Sequence, residues 1–150
     1  MKAVNVRLAN LVGAIAANVY MLLIIVVFIS RIPGWLEIGH WVGFASSLII
    51  VPLVYLFVVG LRTGQRKIYF VWLALMVLFA LFELVVDQIL AIDIRSSQWT
   101  VIPYVMFFFA ATGGMIGIAS QAGKAWSITT TIVFLIMAVL AFVQRGITGL

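Results

Sequence analysis

Cysteine is absent from the 150 residues, and histidine occurs once, at His40. Without thiols there are no disulfides, no thiolate metal sites and no thiol chemistry, and the redox compartment leaves no mark on the sequence. One histidine excludes bis-histidine haem ligation within the chain and leaves zinc without its usual nitrogen and sulfur ligands, so no metal and no cofactor are expected. No nucleophile motif accompanies His40. It reads as a solvated or capping residue in a loop beside Trp41. Charge is scarce as well: 9% of the chain is Asp, Glu, Lys or Arg, against about a quarter of a soluble domain. The net charge of +5 does not point to nucleic acid, because the basic residues stand in short clusters between apolar runs. A stripe of them with interleaved aromatics on a polar scaffold is missing.

Apolar residues fill the gap. They make up 66% of the chain, with a mean hydropathy of +1.30, which is the composition of a polypeptide solvated by lipid. A spanning helix requires roughly 20 mostly apolar residues, and five runs come close: 8–30, 41–61, 68–92, 101–120 and 126–143. The expected fold is an all-α polytopic membrane bundle of five transmembrane helices, one integral membrane domain over residues 1–150. Four spans plus a re-entrant segment are the alternative. The first run is too long for a secretory h-region, and Arg31-Ile32-Pro33 follows it without a small-residue cleavage pattern. It therefore reads as an uncleaved span. The separators are short, so consecutive helices are expected to be antiparallel neighbours.

Lysine and arginine set the expected orientation in the cell membrane. With the N-terminus cytoplasmic, Lys2, Arg7, Arg62, Arg66, Lys67 and Lys124 lie inside, and Arg31, Arg95 and Arg145 lie outside with the C-terminus. The five tryptophans stand at or within a turn or so of run ends, as headgroup anchors do. Pro52, inside the second run, is expected to remove a backbone hydrogen bond and bend that helix.

Helices in lipid associate through close backbone approach and polar pairs. Ala9, Gly13 and Ala17 recur at four-residue spacing, as do Gly43 and Ser47, Ala110 and Gly114, and Gly113 and Gly117. These are expected packing faces. The glycines of ATGGMIG do not form a phosphate loop, which needs GxxxxGK followed by Ser or Thr after a strand.

One stretch stands apart. FELVVDQILAID places Glu83 and Asp87 four residues apart, on one helix face, with Gln88 beside them. If the helix enters at Ile68, Glu83 is roughly 22 Å along it and Asp87 roughly 28 Å, in the outer half of a core roughly 30 Å thick. An acid at the bilayer centre costs about 2.5 to 3.5 kcal/mol, and two carboxylates together repel. The pair calls for a proton, a cation or an arginine. Arg95 and Arg31 are the expected charge partners, and Asn18 in the first run is a further candidate for a ligand or ion site. The bland alternative is interhelical hydrogen bonding.

Three function classes follow. The first is an interaction or accessory membrane subunit, as a homo-oligomer or in a larger membrane complex. The second is a small transporter or ion- or proton-binding protein using the acidic pair. The third is an intramembrane lipid-binding protein or enzyme, although catalytic motifs are lacking.

Overall fold

A computed structural model describes residues 5–90 and 97–149. Arg95 lies outside the described residues, as do the side chains of Asp87 and Gln88. Among the described residues, regular structure is entirely helical. The helices are α1 (Val6–Arg31), α2 (Leu36–Ser46), α3 (Ile50–Thr63), α4 (Lys67–Glu83), α5 (Gln98–Ser120) and α6 (Lys124–Thr148). They make five segments long and apolar enough to cross a membrane: Val6–Arg31, Leu36–Thr63, Lys67–Val86, Trp99–Ser120 and Lys124–Thr148. The shortest has 20 residues, which at about 1.5 Å per residue covers about 30 Å. The last two are continuous helices of 22 and 25 residues, so the five-span architecture replaces the re-entrant alternative.

Local chemistry explains the ends. Asn5 caps α1, its Oδ1 accepting from the Leu8 N–H at 3.1 Å, which satisfies one of the free donors of a helix start. Gly64 ends α3 in the left-handed region (φ +66°), and the Gln65 N–H closes back onto the Gly60 carbonyl at 3.1 Å. Glycine takes that conformation without a Cβ clash.

The second span differs from its sequence reading. It starts at Leu36 rather than Trp41, and His40 sits in helix α2 rather than in a loop. Glu37 and His40 lower the hydropathy of this turn, but both are exposed, so neither charge nor imidazole has to be buried in the bundle for the helix to start here. α2 and α3 are joined by a tight 3₁₀ turn, Ser47–Ile49. Pro52 stands just beyond it and cannot donate to the carbonyl four residues back. The Ser46 hydroxyl donates to the Gly43 carbonyl at 2.6 Å, a back-bond that also favours bending.

α1 is the axis of the bundle. It touches α2, α3, α5 and α6, while α4 packs against α3 and α5. Met21, Leu53, Leu56, Leu73, Met76, Phe79 and Met115 are fully enclosed between them. Two close crossings use small residues. A Cβ on Gly13 would come within 2.8 Å of the Ile118 Cγ2, and Ala17 is fully buried. α4 meets α5 through Trp72, whose indole lies in the notch made by Gly114 and Gly117: a Cβ on Gly117 would stand 2.5 Å from the ring. Trp72 is thus a packing wedge rather than a headgroup anchor. Gly113 has open space where its Cβ would be, since the face that meets α4 runs through 114 and 117.

Candidate functional site

Glu83 is the last residue of α4 before the backbone widens into a π turn, Leu84–Ile89. The turn is closed by a five-residue bond from the Leu90 N–H to the Val85 carbonyl at 2.8 Å. Such turns are rare and frequently mark functional sites. The half-buried Glu83 carboxylate accepts a hydrogen bond from the Tyr104 hydroxyl of α5. Tyr20 of α1, 2% exposed, lies within electrostatic reach of both. Phe79 and Phe82 flank the Tyr104 ring at centroid distances of 5.8 and 6.3 Å. Three helices therefore bring an acid and two phenols into an aromatic surround. A carboxylate there is stabilised by donated hydrogen bonds, which are stronger to a charged acceptor than to a neutral one.

A second polar contact ties α1 to α6. The Asn18 Nδ2 donates to the Ala14 carbonyl and to the Thr130 Oγ1, both at 2.8 Å, and the Thr130 hydroxyl donates to the Trp126 carbonyl at 2.8 Å. A reversed amide would set Oδ1 against the Ala14 carbonyl, so the network fixes the assignment. The Asn18 Oδ1 is left buried without a partner, an omission that costs about 1–3 kcal/mol. The Asn18 contact joins α1 to α6, whereas the Glu83 contact joins α4 to α5.

A cavity of about 70 Å³ opens where the ends of α1 and α6 meet the start of α5. Phe28, Phe108 and Phe142 form its walls, with Arg31, Tyr104, Gln144 and Arg145 as its polar lining. The same Tyr104 that holds Glu83 therefore faces this space. Gln144 is 4% exposed and donates through Nε2 to the Thr148 Oγ1 at 2.8 Å. Outside the cavity, an apolar groove between α5 and α6 continues along Ile102, Val105 and Met106 and shares Arg145 and Phe142 with it. At the opposite end of the bundle, Arg7, Asn10, Gln121 and Trp126 line another cleft, and the Asn10 Nδ2 reaches the Gln121 carbonyl at 3.0 Å.

Of the candidates drawn from the sequence, Glu83 is bonded to Tyr104 and lies within electrostatic reach of Tyr20, Asn18 meets Thr130, and Arg31 lines the cavity. None of Arg31, Glu83 and Tyr104 is without a partner. Among the described residues, no three His, Cys, Asp or Glu side chains gather into a metal-holding group. Sequence reasoning passed over Gln144 and treated Arg145 only as a topological charge. The available signal was their place at the end of the last apolar run. It also passed over Gly60, where a Cβ would stand 2.9 Å from the Tyr69 ring.

This architecture is that of a multi-pass α-helical membrane protein with a polar, aromatic-lined end. No family model, no curated protein and no solved structure matches the chain.

Proposed function

We propose that the chain is an interaction-type accessory subunit of the cell membrane, with its N-terminus cytoplasmic and its C-terminus outside. The observation that supports this reading is how the interior polar groups are engaged. Asn18 fastens α1 to α6 and Glu83 fastens α4 to α5. The hydroxyls of Thr112, Thr130 and Thr131 fold back onto carbonyls of their own helices. The largest enclosed side chains are mostly methionine, leucine and phenylalanine, which pack the centre of the bundle. α6, with 11% of its spanning window buried against 56% for α1, leaves most of its surface to lipid or to another membrane protein.

Photo-crosslinking side chains at Ile132, Leu135 and Val139 of α6 test this reading. They are expected to give one discrete adduct to a second membrane protein, while Val51 and Val54 of α3 give none. A monodisperse monomer with no α6 adduct rejects the accessory role.

A second reading, proton or cation binding, has the π turn beside Glu83 in its favour. There Glu83→Gln abolishes uptake in proteoliposomes while the protein keeps its fold. Unchanged flux discards that reading.

A further inference from the structure

The groove between α5 and α6 brings together two features that lipid-facing surfaces rarely combine. Its outer part is apolar and open to the bilayer: Ile102, Met106 and Phe142 are 59%, 69% and 64% exposed. Its inner end is a cavity whose polar lining includes the half-buried Arg145 and the buried Gln144. The Arg145 guanidinium makes no hydrogen bond or ion pair among the described residues. Arg31, on the far side of the cavity, is engaged already. The last turn of α6 accounts for a basic residue at a helix end, where it complements the negative pole. It does not account for the cavity that α1 and α5 build beside that residue. The facing wall is α5 from Val101 to Phe109, which puts the Tyr104 ring and two phenylalanines beside the cation.

Depth agrees with this chemistry. Arg145 lies one turn from the end of a spanning helix, and Trp99, 90% exposed at the start of α5, marks the same boundary as an interfacial ring. A cavity of about 70 Å³ is too small to enclose a whole organic ligand, which takes about 300 Å³ or more. It suits the polar tip of a molecule whose apolar part lies outside, along the groove of about 360 Å³.

We propose that this groove is a binding site for one anionic membrane lipid, its headgroup against Arg145 and Gln144 and an acyl chain along Val105, Met106 and Phe142. The site goes beyond the accessory reading, since a lone chain can hold the lipid.

Native mass spectrometry of the full chain, released from a mild detergent with added phosphatidylglycerol or phosphatidylcholine, tests it. One phosphatidylglycerol per chain is retained in preference to phosphatidylcholine. Arg145→Gln weakens that retention about fivefold, the effect of one basic residue at headgroup level. Arg62→Gln, at the other end of the bundle, leaves it unchanged. Ala141→Phe fills the cavity and removes the adduct with Arg145 still in place. If that variant does not fold, Arg145→Gln, at a helix end, decides alone. Millimolar inorganic phosphate does not displace the lipid. Equal retention of the two lipids, an indifferent Arg145→Gln variant, or displacement by phosphate overturns the proposal.

Discussion

Gly117→Ala is the sharpest probe of how α4 and α5 meet. The added methyl would stand 2.5–2.6 Å from three ring atoms of Trp72, whereas carbon atoms rest comfortably about 3.5–4.0 Å apart. About 1 Å of movement is required from a rigid indole wedged between two helices. Overpacking of this kind costs about 1–3 kcal/mol. Gly114→Ala brings its methyl to 3.1 Å from the same ring, a conflict of a few tenths of an ångström, and so costs less, about 1 kcal/mol at most. Gly113→Ala meets open space and stays within about 0.5 kcal/mol of wild type. Reversible unfolding in mixed micelles, titrated with dodecyl sulfate and followed by helical circular dichroism, ranks the three. In a Trp72→Leu background the Gly117→Ala penalty largely disappears, giving a coupling energy of about 1–2 kcal/mol. Equal effects at 113 and 117, or a penalty that ignores Trp72, refutes the notch.

The same titration checks the polar contacts. Thr130→Val costs about 0.6 kcal/mol, the average for an interhelical bond in lipid, because the Asn18 amide keeps its bond to the Ala14 carbonyl. A cost above about 2 kcal/mol would mean that more than this bond was lost. Tyr104→Phe removes a donor from a carboxylate and costs about 1–2 kcal/mol. It spares Glu83→Gln,Tyr104→Phe double variants any further loss beyond that of Glu83→Gln, and strict additivity would show that the two side chains do not interact. Ala substitution at Gly60 brings a methyl within 2.9 Å of the Tyr69 ring and destabilises by about 1 kcal/mol or more, which an unchanged midpoint would contradict.

Hydropathy made the five spans legible because a crossing helix needs a minimum length of apolar chain, and each run comes close to it. The start of the second span was not legible for the same reason. Glu37 and His40 break the apolar window, yet the helix passes through them, with Gly39 between them buried against Ser30 of α1. Small-residue spacing pointed to α5 as a packing helix but not to the face used. Gly113 and Gly114 are equivalent until α4 supplies a tryptophan on one side. That tryptophan sits near a run end, where the usual pattern assigns it to the headgroup region, and only its neighbour's missing side chains turn it into a wedge. Glu83 stood out because an acid in an apolar run is conspicuous. Its partner Tyr104, 21 residues further on, carries no sequence signal that distinguishes it from Tyr55. The π turn after Glu83 has neither glycine nor proline to announce it. Arg145 at a helix end looks like any topological charge until the cavity beside it is seen.

The absence of cysteine makes the number of crossings directly measurable. Single cysteines at Ile32, Gln65, Ser97, Gln121 and Ile147, labelled in intact membranes with an impermeant maleimide, report the side on which each connection emerges. Five crossings place Gln65 and Gln121 on one side and Ile32, Ser97 and Ile147 on the other. Finding Ile147 on the same side as Gln121, or Ile32 on the same side as Gln65, contradicts the five-span bundle.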